Sequence, residues 1–502
     1  MARKRRIVAD ERAGRAIEAM RGLLPLLMPA ALLMGLAACT TNPATGNVQL
    51  APLMSAEDEA REGAEAHPKI VEAYGGVYDD PRLGAYVAEV TARIAKGAGG
   101  NGITYRVTIL NSPIVNAFAL PGGYVYVTRG LLALVDDEAE LAGVIGHEIG
   151  HVIARHGAQR QTAALGASVV GAVLGAVVGS SAVSQVAGVG GQGLLAGYSR
   201  DQEYEADALG VRYLAQAGYD PQAEADFLEA MAGDQALSDR IKNRKRDTSA
   251  GDWLASHPAT PDRVKAARDH ADESGVAPGT GERNRDALFR AVDGLIYGDA
   301  PEQGMVRGRR FMHPGLRIMF TAPPNYTITN AMKAVIMQGP DEAIVKFDMA
   351  KKDPAVEIGA YLGSVWAAGT DLSKIDRFTL NGMGAAEATT QSGKYNVRLV
   401  AVEGTPDTAY RFLMGVPPAA GTRQDGKLRE LVQSFHRLSE AEARAAKPLR
   451  LRIVTVAHGK TAETLGTRME FANFRTKRFR ALNGLRAGEQ PKEGMKVKIV
   501  SE

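Results

Sequence analysis

The pentapeptide His147-Glu148-Ile149-Gly150-His151 constrains this 502-residue chain more than any other feature. Two histidines four apart meet only if the segment is helical, because residues i and i+4 then lie one above the other on one face. The surrounding "AELAGVIGHEIGHVIARHG" predicts such a helix, with Asp136 or Asp137 as cap and a stop before Gly157. Both imidazoles can then share one ion, while Glu148 is turned to the side of the pair, where a carboxylate reaches a water on that ion. Zinc suits this donor set: it takes neutral imidazole nitrogen and, with three protein ligands, keeps a fourth position for a water whose pKa falls to about 7. Glu148 would accept that water's proton and pass it to a leaving amine. The chain has only nine histidines. A chance match to this pattern is therefore rare, on the order of one per hundred such chains.

A third ligand must come from elsewhere, and "SRDQEYEADALG" offers it. Ser199 and Gln202 form a capping box that opens a helix running to about Gln216. Glu203 and Asp207 share one face of that helix, so one can bind the ion while the other orients a histidine. Glu205 lies between them, and a solvated acidic face is the competing reading. Upstream, Ser55 to Ala98 predicts two amphipathic helices. "YRVTILNS" and "NAFALPGGYVYVT" predict a small antiparallel sheet with its turn at Pro121-Gly122-Gly123. Asn116, Ala117, Phe118 and Ala119 would then wall a cleft where an extended substrate adds as a further strand. His156, beside Gly157, reads as a favourable charge at a helix C-terminus. Gln161 to Ser199 carries no charged residue and predicts buried or lid-forming helices, with a membrane-dipping hairpin as the alternative.

Four motifs in order, "NAFALPGGYVYVTRGLL", "HEIGHVIARH", "SRDQEYEAD" and "SHPATPDR", resemble the gluzincin metalloproteases of HtpX-like and CAAX prenyl protease type over roughly Ser55 to Asp272. The soluble periplasmic lipoprotein branch fits best. The resemblance implies a mainly helical zincin domain and one Zn2+ held by His147, His151 and Glu203. It also implies that Asp207 stands behind the ligands and that Glu205 stays peripheral. His257 of the "SHP" segment would approach the metal, as a fourth ligand in a latent state or as a donor to the transition state. Arg263 matches the family arginine that follows.

Before Cys39 lie seven basic and three acidic residues, so the remainder of the chain is near −1 rather than the overall +3, and no nucleic-acid partner is expected. The apolar run Gly22 to Cys39 follows Arg21 and closes on small residues, as a signal peptide does. Met20 offers a second start. "Leu36-Ala37-Ala38-Cys39" looks like a bacterial lipobox, and Cys39 is the chain's only cysteine. Residues 1–38 are thus predicted to be a lipoprotein signal, 39–54 a tether joined to the membrane by lipid on Cys39, and 55–300 the peptidase domain. Thr40, where retention in the inner membrane would use Asp, favours the periplasmic side of the outer membrane.

Residues 305–440 carry strand pairs flanked by helices and predict an α+β sandwich that faintly resembles PsbP-like folds. Residues 450–502 resemble a LysM domain, with Asn483-Gly484 and Gly494 in place but Gly459-Lys460-Thr461 instead of the usual Gly-Asp-Thr. That resemblance implies peptidoglycan as a partner. The fold class expected is α+β and multidomain. The function expected is a zinc endopeptidase of the bacterial cell envelope acting on misfolded or unassembled envelope proteins. An envelope chaperone or scaffold with a latent zinc site is the alternative, and a peptidoglycan-directed metalloamidase is disfavoured by its different motif set.

Overall fold

A computed structural model describes residues 39–50, 55–99, 102–160, 197–242 and 253–502. The expected signal peptide, the end of the tether and most of the uncharged Gln161 to Ser199 stretch lie outside the described residues. The architecture is mixed α+β, with helices and several antiparallel sheets. Among the described residues no helix is long and apolar enough to cross a membrane.

The described residues open with a two-stranded hairpin, β1 (Cys39–Thr41) and β2 (Val48–Leu50). Two helices follow, α1 (Ala56–Ala73) and α2 (Pro81–Gly97), capped by Ser55 and Asp80. Leu83, Val87, Val90 and Ile94, at spacings of four and three, form the buried stripe of α2. Next come β3 (Arg106–Leu110), β4 (Ala117–Leu120) and β5 (Tyr124–Thr128). The sheet they form is not the antiparallel one predicted. β4 and β5 make the expected hairpin, but β3 lies parallel to β5, giving the order β3-β5-β4. Val125, Tyr126 and Val127 of β5 are all fully buried, and the central position is the one that covers such a strand on both edges.

After the short α3 (Arg129–Leu134), Asp137 caps α4 (Glu138–Ile153), which carries both motif histidines and is buried at every residue but Val152. Ser199 caps α5 (Arg200–Gln216) through the predicted box with Gln202. The two helices cross at glycines: a Cβ on Gly210 would stand 3.2 Å from the His147 amide nitrogen, and one on Gly146 would stand 3.4 Å from the Gly210 Cα. This approach lets the first turns of α5 face the histidines of α4. α6 (Ala223–Lys242), α7 (Trp253–Ser256), α8 (Pro261–Glu273) and α9 (Arg285–Val292) pack around that pair.

Beyond these, a seven-stranded and a four-stranded antiparallel sheet between residues 305 and 437 face each other across Phe311, Phe320, Phe347 and Phe412, with helix Gly421–Gln433 closing one side. The last segment runs strand Leu449–Thr455, helices Ala462–Gly466 and Arg475–Leu482, then strand Lys496–Ser501. The sequence treats this segment as a separate unit, yet Leu451, Phe479 and Val500 join the same hydrophobic core as Leu132, Ile145 and Phe227. Its first strand also pairs with Ile296–Tyr297.

A buried lysine fastens the two. Lys498 Nζ donates to the carbonyl oxygens of Ala133, Leu134 and Val135 at 3.2, 2.8 and 3.0 Å and pairs with Asp136 Oδ1 at 3.1 Å. A cation placed here satisfies the orphan carbonyls at the end of α3. Lys498→Met is expected to keep the apolar stem but lose about 2–3 kcal/mol, the cost of stranding buried acceptors. Urea unfolding of the variant checks this, and a loss under about 0.5 kcal/mol, the scale of a surface substitution, would deny the lysine that role.

Candidate metal centre

Four side chains from three elements converge where α4 and α5 cross. His147 and His151 extend from adjacent turns of α4, with ring centroids 4.6 Å apart. Glu203 comes from the first turn of α5, and His257 follows α7 directly, its amide donating to the Trp253 carbonyl at 2.7 Å. All four are buried, and one donor atom of each lies within 4.8 Å of the others. His147 Nε2 is 3.0 Å from His151 Nε2 and 3.3 Å from His257 Nδ1, and Glu203 Oε1 is 2.8 Å from His257 Nδ1 and 3.6 Å from His151 Nε2.

This donor set fits zinc. A tetrahedral ion bound at about 2.0–2.2 Å holds its ligand atoms roughly 3.4 Å apart, close to the separations found. Buried imidazole lone pairs and a carboxylate facing one another are unfavourable unless a cation or shared protons lie between them.

Glu148 stands beside this cluster rather than in it. Its Oε1 is 3.7 Å from His257 Nε2 and accepts from Trp253 Nε1 at 3.4 Å. Burial pushes the Glu148 carboxyl above its ordinary range, against the pull of His257 and His147. Behind the ligands, Arg263 grips Asp207 with two nitrogens, Nε at 2.8 Å and Nη2 at 2.6 Å, and its Nη1 lies 2.8 Å from Glu203 Oε2. Asp207 Oδ1 is also 3.0 Å from His147 Nδ1, near enough for a hydrogen bond but out of line with one. Burial opposes its ionisation, yet Arg263 and His147 hold the Asp207 carboxyl down to about 2. Glu203 is likewise penalised by burial but kept below its usual range by His257, His147 and Arg263. Burial, and after it the crowding of His147, His257 and His156, pushes His151 down, which favours the neutral ring a metal needs.

The sequence-predicted residues therefore meet: His147, Glu148, His151, Glu203, Asp207, His257 and Arg263 occupy one buried volume. Asn116 and the strand holding Ala117, Phe118 and Ala119 form the sheet edge that packs on α4. Asn116 is itself buried, with its amide donating to Thr128 Oγ1 at 3.0 Å and its Nδ2 to the Tyr74 hydroxyl at 3.3 Å.

Four neighbours escaped the sequence reading or were read otherwise. Trp253 stacks on His257 with centroids 4.8 Å apart and planes at 22°, and Tyr198 stacks on His151 at 3.9 Å and 14°. Trp253 is one of two tryptophans and sits one helical turn before His257, a usable signal; Tyr198 had none. His156 does not serve as a helix-end charge: its Nδ1 is 2.7 Å from His151 Nδ1. Arg155 takes a left-handed conformation at φ 58°, which turns the chain back and sends His156 toward the cluster. Glu205 stays outside the donor cluster, as expected, but its Oε2 is 3.1 Å from His156 Nε2.

Residues 81–271 match the model of Peptidase family M48. Among curated proteins, the mitochondrial metalloendopeptidase OMA1 of Arabidopsis thaliana is 38% identical over 166 residues, 33% of this chain and 31% of its own length. The beta-barrel assembly-enhancing proteases of Yersinia pestis and Escherichia coli K12 are 31% and 33% identical, over 44% and 39% of this chain and 45% and 40% of their own. The match thus spans less than half of each relative. The solution structure of cyanobacterial PsbP (CyanoP) from Synechocystis sp. PCC 6803 aligns over 28% of this chain and 98% of its own at 10% identity and a TM-score of 0.22, too low to carry the PsbP-like resemblance.

Proposed function

We propose that this chain, whose residues 81–271 match the model of Peptidase family M48, is a zinc endopeptidase of the bacterial envelope that cleaves misfolded or unassembled envelope proteins. The observation that carries the reading is the buried four-donor cluster with a carboxylate, Glu148, beside it that is not one of the four donors. His147, His151 and Glu203 would hold the ion, with Asp207 and Arg263 fixing His147 and Glu203 from behind. Zinc, when bound, supplies Lewis acidity toward a carbonyl oxygen and acidifies water. Glu148 takes the proton from the attacking water and delivers it to the departing amine nitrogen. A carboxylate whose affinity for protons is raised by burial is suited to both halves of that transfer.

His257 has two parts in this reading. Its Nδ1 lies in the same donor cluster, where it would take the fourth corner as a ligand in a latent state. After a swing of the ring away from Glu203, it can instead donate a hydrogen bond to the oxyanion of the reacting peptide. The fourth corner also supports a second reading, a chaperone or scaffold whose zinc stays latent.

The substrate strand Asn116 to Ala119 would recruit extended chains by main-chain pairing, which suits unfolded substrates of varied sequence. The names of the assembly-enhancing relatives support outer-membrane β-barrel precursors as one substrate class. Lipid on Cys39 would place the enzyme on the periplasmic face of the outer membrane, and residues 450–502, as a LysM-like unit, would add contact with peptidoglycan.

Stripping the metal with a chelator is expected to abolish cleavage of an unfolded envelope protein, and stoichiometric zinc to restore it. Magnesium should not, because it avoids imidazole-rich sites. Cleavage that survives complete zinc removal overturns the zinc dependence, and zinc-loaded protein that never cleaves overturns the peptidase reading.

A further inference from the structure

Metal-binding histidines are oriented by whatever their second ring nitrogen touches. For His147 that partner is Asp207. For His151 it is a chain of side chains that leaves the peptidase core and ends in the hairpin next to Cys39. His151 Nδ1 meets His156 Nδ1 at 2.7 Å, and His156 Nε2 meets Glu205 Oε2 at 3.1 Å. The other Glu205 oxygen, Oε1, accepts from Asn42 Nδ2 at 2.6 Å and from Thr45 Oγ1 at 3.0 Å.

The proton inventory of this chain closes without a misfit. If His151 offers Nε2 to an ion, its Nδ1 carries hydrogen and donates to His156 Nδ1. His156 then bears its own proton on Nε2 and donates it to Glu205. Glu205, ionised, accepts at both oxygens. The Asn42 amide cannot be flipped, because its Oδ1 already accepts from the Ala44 amide at 2.8 Å, leaving Nδ2 to face Glu205. Asn42 is only 3% exposed, far below what a tether residue on a protein surface needs to be. The turn that carries it is fixed by its own backbone bonds, Asn42 N to Asn47 O at 2.7 Å and Gly46 N to Asn42 O at 2.8 Å. Arg212, two turns along α5, adds a bond from Nη2 to the Ala44 carbonyl at 3.1 Å.

We propose that Asn42 and Thr45 are positioning residues of the metal site, acting through Glu205 and His156 on His151, so that docking of the 39–50 hairpin sets how tightly zinc is held. The inference rests on the zinc reading above. Cys39 lies three residues before Asn42, so a lipid on it would deliver the pull of the membrane directly to this hairpin. Release of the hairpin would loosen one ligand without touching the cleft.

The test is zinc affinity of the full chain by competition with a chromogenic chelator, together with the melting temperature of the zinc-free form. Neither readout depends on proteolysis. The N42A/T45A double variant is expected to bind zinc about tenfold more weakly with an unchanged zinc-free melting temperature. Glu205→Gln, which keeps the shape but loses the charged acceptor, should weaken zinc to a similar degree. Adding N42A/T45A to Glu205→Gln should then cost nothing more, since all three act along one chain. Affinities within twofold of wild type for both N42A/T45A and Glu205→Gln overturn the inference, as does full additivity between them. Wild-type protein that takes up no zinc instead overturns the zinc reading itself.

Discussion

Glu148→Gln is expected to lower peptide-bond hydrolysis by about 10²–10⁴-fold while the protein still takes up zinc with wild-type affinity. The two expectations separate because Glu148 is not one of the four clustered donors: its nearest contacts are Trp253 Nε1 at 3.4 Å and His257 Nε2 at 3.7 Å. An amide keeps the size of the carboxylate and can still accept from the Trp253 indole, so the site's packing survives. What it loses is basicity. Burial holds the Glu148 carboxyl above its ordinary range, and a proton acceptor raised in this way is useful only if protons move through it. The measurement is turnover of an unfolded substrate, paired with metal analysis of the same preparation. A variant that retains more than a tenth of wild-type turnover would remove Glu148 from the chemistry. One that loses its zinc would place Glu148 among the ligands instead.

The parts of the site that can be read from sequence are those made by short-range geometry. His147 and His151 meet because a helix repeats every 3.6 residues, and Asp137 and Ser199 cap where polar residues precede apolar runs. The strand order around β5 is not readable in this way, since it depends on which strand has two apolar faces to hide rather than on the turn between neighbours. The arrival of His257 beside Glu203 is a tertiary event, and it entered the sequence reading only through family resemblance. His156 is harder still. Its direction depends on a left-handed Arg155, and nothing in an Arg-His pair signals that a residue with a Cβ will accept such a backbone. Asn42 reaches a partner 163 residues away, beyond any periodic signal.

Arg263→Ala should produce the largest loss of stability among single substitutions at the site, about 3–5 kcal/mol. Arg263 is 3% exposed, and its guanidinium lies within 3 Å of both Asp207 and Glu203. Its removal leaves two buried carboxylates without their guanidinium, and Glu224, buried nearby, adds a third acid that its surroundings already push well upward. An unpaired buried charge costs more than the pair was worth, so the damage exceeds the loss of three hydrogen bonds. Bound zinc supplies positive charge to Glu203 and should offset part of it. The loss is therefore expected to be greater in the zinc-free protein than in the zinc-loaded one. Lysine is no substitute, because one ammonium cannot reproduce the two-pronged grip on Asp207 while reaching Glu203. Combining Arg263→Met with Asp207→Asn should recover part of the stability by removing a charge together with its partner. Denaturant unfolding of the single and double variants, with and without zinc, checks all three statements. A single-variant loss below about 1 kcal/mol, the range of an exposed ion pair, would mean that the buried carboxylates are protonated and that Arg263 does not hold the site together.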